Sequence, residues 1–323
     1  MKKLLLFLLA LTLITVPILS GCNRVDKDLE IRVWTLNGTT GFGMAQLIDA
    51  DKNGNAALNY TFTVETAATN VRDALINGSA DIGALPTNVA SALFNSTGGE
   101  IVLLALNTRG VLYLVTNNSV SAPTSLADLA GKTVYCPAQN PTFITKALLQ
   151  KAEVANVTVD STTYAEPAAL QKAVAAGTVA YAILPEPMVT IAKASAAEGV
   201  TLTAALDLTN EWNKHFTEGS LVQGCVVARK VFVDEHPNEV AKFLEEYKAS
   251  VEFTVGQPEQ AAQMIADAKI FEKAAVAEKA IPKCNLCFIT GSEMKTAMSA
   301  FLAAMPLQSI GGALPTDAFY YGA

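Results

Sequence analysis

Histidine is nearly missing from this 323-residue sequence: His215 and His236 are the only two. Neither has a spaced partner, so no Ser-His-Asp arrangement and no histidine metal site can be assembled. Cysteine is scarce too, five residues in all, and the four beyond Cys22 are too few for a disulfide scaffold. The pair in Cys284-Asn285-Leu286-Cys287 lacks a second pair at zinc-ribbon spacing and reads as a buried thiol pair or a local disulfide, ahead of a metal or redox centre. Positive charge is in deficit. Residues 22–323 carry 21 Lys and Arg against 30 Asp and Glu, which excludes the basic surface that nucleic acid demands and has solubility as its plain consequence. Gly38, Gly41 and Gly43 do not have the G-x-G-x-x-G order and no Gly-Lys-Ser/Thr closes their loop, so neither a dinucleotide fingerprint nor a phosphate loop is present there. No cofactor is expected.

A long apolar run occurs only at the start, Leu4 to Leu19, behind Lys2 and Lys3. Its length, its charged front and the small residues after it make residues 1–21 a secretory signal. It is short for a membrane span, contains Pro17, and runs into polar residues. Leu19-Ser20-Gly21-Cys22 resembles a bacterial lipobox, which implies cleavage before Cys22, lipid on that cysteine, and a chain anchored at the outer face of the cytoplasmic membrane or in the periplasm. Residues 22–29 then form a linker. The anchoring itself is reasonable, since each buried methylene contributes about 0.8 kcal/mol.

The rest alternates short β-rich runs ("EIRVWTL", "YTFTVE", "ADIGAL", "EIVLLAL") with longer alanine-rich helical patterns. That is the signature of parallel βα units, so the fold class is α/β. The chain also repeats itself. "DALINGSADIGALPTNV" from Asp73 lies over "KAVAAGTVAYAILPEPM" from Lys172 at an offset of 99, matching Gly78 to Gly177 and Pro86 to Pro185. "VWTLNGTTGF" from Val33 lies over "VYCPAQNPTF" from Val134 at an offset of 101. Two βα domains joined by a double crossover hinge follow: residues 30–112 with 227–323 form the first, 113–226 the second, and the crossings lie near 109–116 and 221–228. The helical pattern from Pro237 places Val240, Phe243, Leu244, Tyr247 and Val251 on one face.

Ligands of open parallel sheets sit beyond the carboxyl ends of the strands, where helices begin. Four openings arise in two matched pairs: "LNGTTG" and "LPTN", "CPAQNPT" and "LPEP". They supply Asn37, Thr39, Thr40, Gly41, Pro86, Thr87, Asn88, Asn140, Thr142 and Glu186 as candidate ligand-binding residues. Each hydroxyl or amide taken singly is explained by helix capping; four openings converging on one cleft favour a binding site. Helix N-termini there would draw acceptor-rich or anionic groups. Trp34 and Phe143 could sandwich a planar ligand or pack in the core. Glu186 could meet a cationic or hydrogen-bond-donating group, or serve its own helix N-terminus. Arg109 could pair with a ligand anion or form a salt bridge within the hinge. Gln223, before the return crossing, is placed in the cleft by topology.

Together the lipobox, "GTTGFG", "NGSADIGALPTNVA", "AGTVAYAILPEPMV" and "DEHPNEVAKFLEEY" resemble the substrate-binding lipoproteins of ABC importers, in the SsuA/THI5-like branch that includes nitrate, sulfonate, taurine and thiamine-precursor binding proteins. The resemblance implies a type II periplasmic-binding-protein fold and a monomer that closes on a small anionic or planar aromatic metabolite. It implies delivery to an ABC permease and ATPase complex, without catalysis. The same architecture also serves pyrimidine- and menaquinone-pathway enzymes and ligand-presenting sensor receptors. The cysteine-rich run of the pyrimidine-forming enzymes is not reproduced by "CNLCF".

Overall fold

Strand β1 (Glu30–Leu36) is apolar on both faces: Ile31 and Val33 are fully buried on one side and Leu36 is buried on the other. A strand buried on both faces belongs inside a parallel sheet with helices above and below. The computed structural model describes residues 25–216 and 220–323; the signal segment and Cys22 lie outside them. The remaining strands are β2 (Asn59–Glu65), β3 (Ile82–Pro86), β4 (Ile101–Arg109), β5 (Leu112–Asn117), β6 (Thr133–Tyr135), β7 (Thr158–Asp160), β8 (Tyr181–Pro185), β9 (Leu202–Asp207), β10 (Val222–Arg229) and β11 (Leu286–Ile289).

They form two sheets, ordered β11-β4-β10-β3-β1-β2 and β7-β6-β8-β5-β9. Set β11 aside and the two orders are the same pattern, each with one antiparallel strand contributed by a crossing. β10 runs antiparallel to β3 with Gly224 opposite Pro86, and β5 runs antiparallel to β8 with Leu112 opposite Pro185. The internal offsets reappear as register. Trp34 of β1 lies opposite Gly83 of β3, and Tyr135 of β6 lies opposite Ala182 of β8, the residues 101 and 99 positions further on.

The chain leaves the first sheet after Arg109, passes through Gly110 and Val111 into β5, and re-enters the first sheet at Val222. One apolar cluster runs through both units and contains Leu36, Leu85 and Leu106 of the first, Leu112, Ile144 and Trp212 of the second, and Phe301 and Leu302 near the C-terminus. Trp212 stacks on Phe216 at 4.0 Å and meets Phe301 at 5.6 Å between ring centroids. The helix Pro237–Gly256 covers the first sheet's other face through Val240, Phe243, Tyr247 and Val251. Among the described residues no helix is long and apolar enough to cross a membrane.

Candidate functional site

The four openings follow the ends of β1, β3, β6 and β8, and three of them bond to the strands or segments of the crossings. The hydroxyl of Thr87, directly after β3, donates to the Val222 carbonyl at 2.9 Å. The backbone N–H of Glu186, directly after β8, donates to the Val111 carbonyl at 2.9 Å. Gln223 joins the two passes, its Oε1 accepting from the Val111 N–H at 2.8 Å. Asn107, near the end of β4, donates through Nδ2 to the Thr40 carbonyl at 3.1 Å. The openings at Thr40, Thr87 and Glu186 are thus each held by one hydrogen bond to a strand or segment of the crossings.

Helix capping does not explain the candidate hydroxyls and amides; Glu186 alone serves its own helix N-terminus, accepting from the Thr190 N–H in the first turn. The N-cap positions are Gly38, Pro86, Gln139 and Pro187, and none makes a side-chain cap bond. Two of the four helices, Thr39–Phe42 and Met188–Ala194, have only four and seven residues. Short helices sum few peptide dipoles, so the expected pull on an anion shrinks to the helices at Thr87 and Asn140. Thr142 donates to the Pro137 carbonyl at 2.7 Å, within its own turn. Gly41 is a close-approach residue: a Cβ there would lie 2.0 Å from the Leu36 carbonyl oxygen. Thr39 and Thr40 are half-buried in the first turn. Pro86 ends β3.

Asn88 Oδ1 and Asn140 Oδ1 at the openings are enclosed and unpartnered among the described residues, and so are the Thr35 and Thr116 hydroxyls away from them. Asn88 and Asn140 are 5% and 8% exposed. Native interiors rarely leave such atoms unpaired. Asn88 Nδ2 points to the Ser309 carbonyl at 3.5 Å, which orients its oxygen as the free acceptor. Glu186 is 2% exposed. Its Oε2 accepts from the Thr190 N–H at 3.1 Å, and burial pushes its pKa up against the opposing pull of the Thr190 hydroxyl, the Thr190 N–H, Lys283 and Lys193.

A cavity of about 380 Å³ opens between the halves, lined by Asn37, Val64, Glu65 and Thr66 of the first, Ile191 of the second, and Lys269–Lys273. Its size falls in the range of small-molecule sites, about 300–1,000 Å³. Asn37 is the candidate residue in that lining; its N–H donates to the Glu65 carbonyl at 2.8 Å. Phe271 supplies a half-buried aromatic face there. Trp34 lies mid-strand and packs, like Phe143, partly buried against the continuous core.

Arg109 is already engaged. Its guanidinium donates to Ser220 Oγ at 2.8 Å and faces Glu293 at 3.7 Å, contacts at the crossings rather than a free anion clamp. Beside it, Arg109 N–H donates to the Asn285 carbonyl at 3.0 Å, Asn285 Nδ2 to the Gly110 carbonyl at 2.6 Å, and Tyr113 OH to the Lys283 carbonyl at 3.0 Å. The Cys284-Asn285-Leu286-Cys287 run is thus a strap over the first crossing. Its thiols are free, and burial holds Cys284 well above the usual thiol range, with Glu186 adding to the shift.

Sequence reasoning missed Glu65, Thr66, Thr190, Ile191 and the Lys269–Lys273 loop. Thr190 was within reach, because it stands 99 positions after Ser91 in the repeat. The loop had no such signal: it enters the site from a distant, unrepeated part of the chain.

No curated protein matches the chain. Solved structures do. An ABC transporter protein from Parabacteroides distasonis is 22% identical with a TM-score of 0.75, covering 91% of this chain and 99% of that one. The periplasmic aliphatic sulphonate binding protein SsuA from Escherichia coli is 14% identical with a TM-score of 0.66, covering 87% and 85%. The ligand binding component of an ABC-type import system from Staphylococcus aureus, with zinc bound, is 12% identical with a TM-score of 0.65, covering 91% and 99%. These likenesses share the two-sheet fold found here. The NMT1/THI5-like family model matches residues 64–261, a span from the end of β2 through both crossings into the helical C-terminal part, and the chain therefore belongs to the NMT1/THI5-like family.

Proposed function

We propose that this protein is an extracytoplasmic solute-binding protein that captures a small molecule between its two βα units and delivers it to an ABC permease and ATPase complex. The observation that carries this reading is the cavity lined by residues of both halves, Asn37 of the first opening among them. A guest touching both halves stabilises the closed form by its differential affinity for the two states, and the permease would recognise that shape. Micromolar affinity corresponds to about −8 kcal/mol, within reach of several hydrogen bonds at about 0.5–1.5 kcal/mol each plus apolar burial. The similarity to importer binding proteins supports the same reading.

The segments Gly110–Val111 and Ser220–Leu221 are the hinge in this proposal, with Arg109, Ser220 and Asn285 setting its resting angle. Asn37, Asn88, Asn140, Glu186 and Thr190 are the ligand contacts, and Thr87 and Gln223 hold the floor. Lipid on Cys22 would keep the protein at the membrane face as a monomer. An enzyme of the same fold is disfavoured because the openings bring together no nucleophile with a base.

A broad metabolite thermal-shift screen combined with small-angle scattering tests the reading. A saturating guest should raise Tm, by about 2.7 kcal/mol of stability at 100 times its Kd, and make the particle more compact; conversion of that guest into product would overturn it. Mass spectrometry of the N-terminal peptide, expected to begin at an acylated Cys22, tests the anchor.

A further inference from the structure

Val25, the first described residue, stands three residues after Cys22, a reach of about 11 Å for fully extended chain. From Val25 onward the chain is fastened to the body. Val25 and Leu29 pack against the cluster that contains Ile31, Val240 and Phe243. The Asp26 N–H donates to Glu239 Oε1 at 2.7 Å, in the first turn of the helix Pro237–Gly256. A lipid on Cys22 therefore holds this part of the body close to the bilayer.

One end of the first sheet gathers there. The Asp81 N–H, just before β3, donates to the Arg32 carbonyl of β1 at 2.9 Å, and the Arg229 N–H, at the end of β10, donates to the Asp81 carbonyl at 3.0 Å. The openings lie at the other end of β1 and β3, about 20 Å away along a seven-residue strand. The tether alone allows two poses, standing on this end or lying on the side covered by Pro237–Gly256. Exposed apolar surface selects the first. Two of the five large exposed apolar side chains among the described residues are Ile76, 55% exposed, and Val231, 39% exposed, and they line one hollow with Arg229. Ile76 ends the helix Ala68–Asn77, whose Val71 and Leu75 pack in a different cluster, on the opposite face of the sheet from Val240 and Phe243. A surface that meets both Ile76 and the fastened Val25 lies across the end of the sheet.

Charge does not supply the contact. Arg32 and Arg229 flank Asp81 at 2.5 and 3.9 Å, and Glu30, Glu100 and Glu235 stand among them. Screening within about 10 Å at 0.1 M salt keeps this surplus of acids from lifting the end away.

We infer that the end of the first unit carrying Val25, Ile76 and Val231 rests on the lipid surface, so that the cleft opens away from the membrane. This rests on the lipid proposed at Cys22. The tether sets the distance and the apolar pair sets the tilt.

The test reconstitutes the acylated protein in liposomes of phosphatidylethanolamine and phosphatidylglycerol that carry an energy-transfer acceptor in the headgroup layer. A donor dye sits on a cysteine made by Val231→Cys or by Thr66→Cys, the latter beside the cavity. Both variants carry Cys287→Ser, which leaves only buried native thiols among the described residues. Transfer from the Val231 position should exceed that from the Thr66 position by about twofold or more, the two standing about 20 Å apart in height. High salt, or omission of phosphatidylglycerol, should leave the ratio unchanged. A Gly/Ser insertion of about twenty residues after Cys22, about 25 Å in r.m.s. length, should bring the ratio towards one, and Ile76→Asp should lower it with the tether intact. Equal transfer from both positions, which is the side-on pose, or greater transfer from Thr66 would overturn the inference. So would a ratio that collapses in high salt. An N-terminal peptide without acyl chains would overturn it together with the anchor and leave the solute-binding reading standing.

Discussion

Gly38 after β1 and Gln139 after β6 occupy matched positions and share a positive-φ backbone, φ 78° and ψ −161° for the glycine, φ 66° and ψ −131° for the glutamine. The glycine adopts that conformation freely. The glutamine does so against steric resistance of about 1–3 kcal/mol. Three residues on, the contrast continues. Gly41 lets its backbone press on the Leu36 carbonyl, whereas Thr142 donates its hydroxyl to the carbonyl of Pro137, the residue matched to Leu36. The shared demand is a tight turn that aims a strand end at the other half. In the first half the demand is met by removing side chains, in the second by strain offset with a hydrogen bond. The surrounding sheets differ accordingly: β1 and β2 have seven residues each, β6 and β7 three, so the second half holds its turn with less strand behind it.

That comparison can be broken experimentally, most severely at Gly41. Gly41→Ala places a methyl where backbone already lies and should destabilise the protein by about 3 kcal/mol, at the upper end for overpacking, seen as a lower urea midpoint. Matched but opposite changes come next. Gly38→Ala should cost about 1–2 kcal/mol while Gln139→Gly should stabilise by a similar amount, because only the second position stores strain; equal signs for the pair would end the claim that the two turns are equivalent. A Cβ at Gly38 would meet no atom within 4 Å, so its loss would come from backbone alone. Thr142→Val should cost about 1 kcal/mol, one buried hydrogen bond, measured by the same denaturation.

The shallowest effect is a pH dependence at Glu186, the match of Thr87. Burial raises the carboxyl's pKa in the folded chain, so the folded state binds its proton more tightly than the unfolded one. Its contribution is fully present below the ordinary glutamate pKa and is lost as pH rises through the raised value. Glu186→Gln should therefore gain Tm relative to the parent on going from about pH 4 to about pH 7. A constant difference across that span would show that Glu186 titrates normally.

Much of the fold could be read in the residues. Glycine and proline at offsets of 99 and 101 carried the duplication, and the structure repeats it as register, Trp34 on Gly83 and Tyr135 on Ala182. The apolar face of Val240, Phe243, Tyr247 and Val251 was equally plain. The site was legible only as a set of openings. Capping was the simplest role for Thr87, Asn88 and Asn140, and none of them caps; that became visible once Val222 and Ser309 stood beside Thr87 and Asn88. Arg109 could have faced a ligand, and its pairing with Glu293 depends on a helix 184 positions away. The cavity wall at Lys269–Lys273 had no motif, because a loop that lines a site by position need not carry one.

Local pattern alone determined the α/β class, the repeated unit and the places where the chain turns, since periodicity and backbone permissiveness act within a few residues. Tertiary structure decided which polar atoms found partners and which did not, and which charges were paired. Hydrogen bonds and burial are properties of neighbours in space, and at this site the neighbours come from both passes of the crossing and from the far C-terminal part of the chain.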